Sequence, residues 1–288
     1  MKQRQWKIIE ALNWASSFLK IPSQAPEILL AHLLQVDRVT LLGQLREPCP
    51  EEVLKKFQAL ILRHHKGIPV QYLIGEEQFY SRSFYVNESV LIPRPETEEL
   101  VQLMLNKISE RFQHKRTIAG CDIGTGSGCI AITMAKEEAR LNMTAIDISK
   151  EALKTARKNA ERHAAHQVTF LHGNLLEPAI EQKKHYDVVV SNPPYIESKE
   201  IASLDVTVRE HEPVLALDGG KDGCNFYRSI ISQLPYVLKA QALIGFEVGV
   251  GQSTTVANLL TDAFPHAQVD IVYDINGKDR IVTADIGF

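Results

Sequence analysis

The stretch Asp122-Ile123-Gly124-Thr125-Gly126-Ser127-Gly128 follows an apolar run at 118–123 and leads into Cys129-Ile130-Ala131-Ile132. A strand that runs into alternate glycines and then into an apolar helix is a strand–turn–helix junction. Glycines there let the backbone turn sharply and let a ligand approach the main chain. The spacing Gly-x-Gly-x-Gly is not the dinucleotide fingerprint Gly-x-Gly-x-x-Gly, which disfavours an NAD-dependent dehydrogenase and leaves a purely structural turn open. Outward from this junction, strands and helices alternate. Strands are predicted at 118–123, 143–148, 168–171, 187–191, 242–248, 268–273 and 280–285, with helical stretches between most of them. Such alternation implies an α/β fold with a mostly parallel sheet covered on both faces. Only 274–279, including Asn276-Gly277, separates the last two strands. That is too short for a crossover helix, so they should pair antiparallel.

Upstream the pattern changes. Residues 1–75 read as a helical bundle with no strand-like alternation. Trp6, Ile9, Leu12, Phe18 and Leu19 recur at helical spacing, and Ser23 precedes Pro26-Glu27 and the apolar 28–34. Pro50-Glu51-Glu52 places a proline and two acids in the first turn of a helix that Gly67 should stop, with Val53, Leu54, Phe57, Leu60 and Ile61 as its buried face. Residues 76–93 read as a β-hairpin linker: Gln78-Phe79-Tyr80, a Ser81-Arg82-Ser83 turn, then Phe84-Tyr85-Val86. The prolines of Leu91-Ile92-Pro93-Arg94-Pro95 hold their predecessors extended. A helix at 96–111 then opens a third segment, 94–288.

Composition narrows the class. The 288 residues are 44% hydrophobic and 23% charged, which suits a globular protein and excludes a disordered tail, a collagen-like fibre or a disulfide-stapled peptide. Apolar runs such as Ala59-Leu60-Ile61-Leu62 fall far short of the ~20 residues that span a bilayer. Residues 1–10 lack the apolar segment of a secretory leader and the character of a transit peptide, so a cytoplasmic location is expected. Cys49, Cys121, Cys129 and Cys224 fit no zinc spacing and read as small buried hydrophobes; His163, His166 and His172 read as solvated positions rather than a metal site. The net charge of −3 argues against a generic nucleic-acid binder. Residues 1–75 nevertheless carry ten Lys/Arg against six Asp/Glu, and the rest carries 22 against 29. A mildly basic module on an acidic body could steer an acidic or RNA-associated partner, or be charge scattered over solvated helices.

Three motifs carry chemistry. Asp147, at the end of the second strand, can accept the hydroxyl protons of a ribose, while Ser149 suits the N-cap of the next helix. The third strand ends at Gly173-Asn174-Leu175, where a polar side chain could meet an adenine. Asn192-Pro193-Pro194-Tyr195 follows the apolar Val188-Val189-Val190. Two prolines after a strand fix a path that can leave a carbonyl unpaired, Asn adds an acceptor and Tyr a flat face. Together these suit one task, gripping a planar –NH2 group.

The glycine turn, the acid after the second strand and Asn-Pro-Pro-Tyr after the fourth resemble class I S-adenosyl-L-methionine-dependent N-methyltransferases. Several stretches are narrower: Ile92-Pro93-Arg94-Pro95-Glu96-Thr97-Glu98, the run 122–130, Asn192 to Ile196, and Glu212-Pro213 through Ala216-Leu217-Asp218-Gly219-Gly220 to Asp222-Gly223. These resemble the PrmC/HemK family, the glutamine N5-methyltransferases of class 1 peptide chain release factors, over almost the whole chain. The resemblance implies a Rossmann-like, seven-stranded, mostly parallel sheet behind an N-terminal helical substrate-docking domain. By position it implies that Gly124, Thr125, Gly126, Ser127 and Gly128 line the methionine part of the cofactor and that Asp147 holds the ribose. Asn174 and Leu175 would border the adenine, where the family often has Asp and sometimes an aromatic residue. Asn192, with Pro193, Pro194 and Tyr195, would hold the substrate glutamine beside the cofactor. Arg94 and Glu96 receive no chemical role.

The mechanism this implies is an in-line displacement at the sulfonium methyl. The Asn192 side-chain oxygen and the Pro193 carbonyl would orient the amide –NH2 and stabilise charge developing on nitrogen. No metal and no strong general base are called for. The expected partner is a class 1 release factor presenting its Gly-Gly-Gln loop to a monomer that binds neither membrane nor, stably, nucleic acid. The rivals are an N6-adenine methyltransferase using the same clamp on a flipped base, and a non-catalytic factor that keeps the fold.

Overall fold

The computed structural model describes residues 5–20, 23–274 and 276–288. Residues 1–4, Ile21 and Pro22, on which parts of the N-terminal expectations fall, lie outside the described residues, as does Ile275 in the expected final turn. The chain divides into two units, Met1–Gly75 with Asp205–His211, and Glu76–Leu204 with Glu212–Phe288.

The first unit holds helices α1 (Ile8–Leu19), α2 (Ala25–Leu34), α3 (Arg38–Gly43), α4 (Glu51–His65) and α5 (Val70–Ile74), together with α10 (Val206–His211), numbered by chain position. Its core is Ile8, Ala11, Leu12, Leu29, Leu30, Leu41, Phe57 and Ile61. Ser23 Oγ accepts from the Ala25 N–H, and Asp37 Oδ1 from the Thr40 N–H, satisfying donors at two helix starts. Pro50 stands one residue before α4 rather than in its first turn. Of the five residues expected on its buried face, Phe57 and Ile61 are buried, while Val53, Leu54 and Leu60 are half-covered at the edges.

The second unit starts with a hairpin, β1 (Glu76–Phe79) and β2 (Arg82–Tyr85). Its turn is Tyr80-Ser81, both at positive φ, so Arg82 and Ser83 belong to the strand and not, as expected, to the turn. Two left-handed residues match the twist of the flanking strands. Phe79 and Phe84 are fully buried and meet edge to face. Burying each stabilises the hairpin's attachment by about 1.5–3 kcal/mol. The fully buried Asn159 accepts from the Tyr85 N–H and donates to the Tyr85 and Ser127 carbonyls. One amide thus ties the hairpin to the glycine turn.

The remaining elements are α6 (Pro95–Arg111), β3 (Ile118–Ile123), α7 (Cys129–Glu137), β4 (Leu141–Asp147), α8 (Lys150–Arg162), β5 (Val168–His172), α9 (Glu177–Glu181), β6 (Tyr186–Ser191), α11 (Asn225–Gln233), β7 (Leu238–Glu247), α12 (Ser253–Ala263), β8 (Gln268–Tyr273) and β9 (Asp279–Ile286). The sheet has seven strands in the order β5-β4-β3-β6-β7-β9-β8. The five strands from β5 to β7 run parallel, and β9 pairs antiparallel with both β7 and β8. All seven expected strands are present, with β7 four residues longer at its start and Ile148 just beyond β4. Buried clusters cover both faces, one holding Leu100, Met104, Ile132 and Val188, the other Tyr186, Ile230, Phe246 and Val256. All four cysteines are buried and unpaired. Among the described residues no helix is long and apolar enough to cross a membrane.

Candidate active site

In a parallel sheet the loops after the strands gather at the carboxyl edge, where ligands bind. Here β3, β4, β5 and β6 all feed one cavity of about 290 Å³. Gly124 and Gly126 come from the turn after β3, Asp147 to Ser149 from β4, Gly173 to Leu175 from β5, and Ser191 to Pro194 from β6. Ser89, Val90 and Leu91 close it from the linker, and Pro213, Leu215, Ala216, Phe226 and Ile230 complete the wall.

The glycine turn is built for close approach. Gly124 and Gly126 sit at φ +70° and +54°, and a Cβ on either would meet no atom within 4 Å. Behind the turn Asp122 is fully buried: its Oδ2 accepts from Thr125 Oγ1 at 2.6 Å and from the Ala131 N–H, while Oδ1 has no partner among the described residues. Burial pushes this carboxyl up to about 7, against the pull of Thr125 and Ala131. Thr125 and Ser127 are themselves buried and do not line the cavity, nor does Gly128, which N-caps α7. These three shape the turn from behind.

Asp147 faces the cavity with both oxygens in use. Oδ2 accepts from the Gly126 N–H and Oδ1 from the Ser149 N–H, each at 2.8 Å. Burial raises its carboxyl above the ordinary range, and the Ser149, Gly126 and Ile148 N–H groups work against that rise. Each oxygen keeps a lone pair for a further donor. Ser149 Oγ also accepts from the Ala152 N–H, so the cap expected at this helix coexists with a ligand-facing acid. Next to Asp147, Ile148 is 49% exposed on the cavity wall, an apolar surface that a flat ring would cover. Asn174 Nδ2 donates to Glu177 Oε1 at the rim. An apolar-walled slot, an acid with free lone pairs and an open glycine cradle fit a nucleoside joined to an amino acid.

The other end of the cavity is Asn192-Pro193-Pro194. Ser191 pairs with Phe246 across β6 and β7, which brings Asn192 beside Glu247. Asn192 Nδ2 donates to Thr97 Oγ1 at 3.2 Å, and Thr97 Oγ1 donates to Glu247 Oε2 at 2.6 Å. Thr97 is on the first turn of α6, whose Leu100 and Met104 close over Gly245 of β7. Tyr195 does not line the cavity. Its carbonyl accepts from Gln252 Nε2, and a Cβ on Gly219 would lie 2.7 Å from its Cα. Burial, aided by Glu247, pushes its phenol up to about 12, so Tyr195 offers a ring and a hydroxyl but no base. Arg94 pairs with the nearly buried Glu212 at 2.5 Å, directly before the wall residue Pro213.

Sequence reasoning did not find Ile148, Ser89 to Leu91, Phe226, Thr97, Glu247 or Gln252. Thr97 lies in the run 92–98, whose motif carries no sign of its hydrogen-bond partners. Glu247 had one usable signal, an acid at the end of an apolar strand beside the one that carries Asn192.

Residues 97–219 match the family Methyltransferase small domain, and residues 10–75 match the PrmC N-terminal domain. The release factor glutamine methyltransferase of Bacillus cereus is 50% identical over 283 residues, which is 97% of this chain and 99% of that protein. That of Bacillus subtilis is 46% identical over 280 residues, 96% and 97% of the two chains. A solved methyltransferase from Pyrococcus furiosus matches with a TM-score of 0.53 at 15% identity, covering 80% of this chain and 98% of the other. At that identity it speaks to the fold alone. The sheet and the family match together give a class I S-adenosyl-L-methionine-dependent methyltransferase fold.

Proposed function

This chain belongs to the release factor glutamine methyltransferases, and from that premise we propose how its residues divide the work. The protein methylates the side-chain N5 of the glutamine in the Gly-Gly-Gln motif of class 1 release factors, with S-adenosyl-L-methionine as cofactor. When bound, that cofactor supplies an electrophilic methyl group on sulfonium. Gly124 and Gly126 would give its amino-acid part a backbone surface, Asp147 would take its ribose hydroxyls, and Ile148, Asn174 and Leu175 would border its adenine. Thr125, Ser127 and Gly128 keep the turn in shape.

Asn192 and Pro193 act on the substrate. An amide nitrogen is a poor nucleophile because its lone pair is delocalised into the carbonyl. The Asn192 oxygen and the Pro193 carbonyl accept hydrogen bonds from its –NH2, hold it in one orientation and stabilise the positive charge it develops. The alkylated nitrogen is acidic enough to give its proton to water, so no strong base is needed. Tyr195 stands outside the cavity wall and holds the Asn-Pro-Pro turn in place through its backbone carbonyl, which accepts from Gln252 Nε2. The observation that carries this division is the shared cavity: the Asn-Pro-Pro corner and the Gly124–Asp147 cradle line one space.

The mildly basic 1–75 module serves as the docking surface for the release factor, the protein works as a cytoplasmic monomer, and it binds nucleic acid at most weakly. The test is transfer of labelled methyl from S-adenosyl-L-methionine to purified release factor, with a Gly-Gly-Gln glutamine variant and a duplex oligonucleotide in parallel. Label on the release factor that disappears with the glutamine is expected. Label on the oligonucleotide alone would replace this reading with an N6-adenine methyltransferase.

A further inference from the structure

Asn192 has a carbonyl end and an –NH2 end, and only the carbonyl end can accept from a substrate amide. What decides the orientation lies behind it. Glu247 is 1% exposed, and its carboxylate accepts a hydrogen bond from the Thr97 hydroxyl. That turns a Thr97 lone pair toward Asn192, whose Nδ2 donates to it. The Asn192 side chain also lies close enough to Glu247 to pull its carboxyl down. A carboxylate only accepts, and the Thr97 proton is engaged on it, so both neighbours favour the –NH2 end of Asn192 over its oxygen. We infer that Glu247 and Thr97 are positioning residues that lock the Asn192 amide with its oxygen toward the substrate nitrogen, and that ionised Glu247 keeps the lock closed. The inference rests on the substrate role given to Asn192 above.

Protonation reverses the logic. A neutral carboxyl carries an O–H donor, which can point at Thr97 or at the Asn192 oxygen. The amide is then free to turn its –NH2 outward, where it meets another –NH2. The groups acting on Glu247 come from several elements. Burial pushes its carboxyl up to about 7; the Thr97 hydroxyl and Arg280 of β9 pull it down, Glu96 pushes it up, and Asn192 pulls it down. Tyr195 and Cys129 feel its charge, and Tyr227 of α11 donates its hydroxyl to the Glu247 backbone carbonyl. Because the charged form is the working form, activity is present above this pKa and is lost as pH falls through it.

The test compares the wild type with Glu247→Gln, Thr97→Val and Thr97→Ser. Turnover and KM for the release factor are measured from about pH 5.5 to about pH 9, and cofactor affinity by calorimetry. The Asn192 side-chain –NH2 resonance is followed by NMR in protein without cofactor. Wild-type kcat should fall about tenfold per pH unit on the acid side, and Glu247→Gln should lack that limb. Thr97→Val should lower kcat about 10–100-fold at unchanged cofactor affinity, and Thr97→Ser should restore most of it. The Asn192 resonance should titrate in the wild type and not in Glu247→Gln. An acid limb unchanged in Glu247→Gln, an Asn192 resonance that ignores pH, or Thr97→Val losing cofactor affinity in step with turnover would each overturn the lock. Wild-type protein that never labels the release factor would instead overturn the substrate reading, while the NMR titration would still report on the lock.

Discussion

The cavity has two ends that are stiffened in different ways. At the β3–β4 end the orienting groups are local: Asp147 takes the N–H groups of Gly126 and Ser149, and glycines at positive φ do the rest. At the β6 end a single side chain, Asn192, is oriented by Thr97 and Glu247, which are 150 residues apart in sequence. The first end is built from backbone and so supports binding; the second depends on distant side chains and so supports a direction. The contrast teaches that affinity and turnover should separate by position.

The largest effect expected is at Asn192. Replacing it with Ala should cut kcat about 10²–10³-fold while cofactor Kd stays within about twofold. Stopped-flow turnover and calorimetry on one preparation would decide, and parallel losses would erase the contrast. Next comes Asp147→Ala, which removes a charged acceptor and strands the Gly126 and Ser149 N–H groups. Cofactor Kd should rise about 10–100-fold, with kcat at saturating cofactor largely kept. A saturating kcat that fell as far as the affinity would mean that Asp147 acts on the chemistry.

Gly126→Ala tests the backbone contribution alone. Its Cβ meets open space, so the cost is that of holding a left-handed residue, about 1–2 kcal/mol, or roughly tenfold in cofactor Kd. Equilibrium binding that matched the wild type would show that the turn tolerates relaxation. The smallest effect is at the rim. Asn174→Asp keeps the size of the side chain but sets a second carboxylate against Glu177, so Kd should move by less than about threefold. A larger change in a titration would place Asn174 in direct contact with the adenine.

Much of this was readable from residues alone. Every strand of the large sheet, the antiparallel ending and the cavity's Gly124, Asp147 and Asn192 came from local signals: apolar runs, glycine spacing and prolines. The short helices α3 and α5, six and five residues long, span too few turns to show a period. The hairpin turn was misplaced because Tyr80 and Ser81 adopt positive φ without the Gly or Asn that usually announces it. Thr125 and Ser127 matched the motif yet are buried behind the turn, beside glycines that face the cavity, and Gly128 packs against Ile132 and Ala156. Thr97 and Glu247 are linked only through the packing of α6 on β7, which no local pattern records. The grouping of 205–211 with the first 75 residues is likewise tertiary.

The strand order holds a consequence for shortened chains. Among the described residues β8 pairs only with β9, and β9 is inserted between β7 and β8. A chain cut short after β8 lacks the strand that seats it. The edge of β7 is then open, and such a chain can complete its parallel strands and still expose an unpaired edge. A truncation between 273 and 279 should therefore leave a chaperone-dependent, protease-sensitive product, although it keeps every residue that lines the cavity.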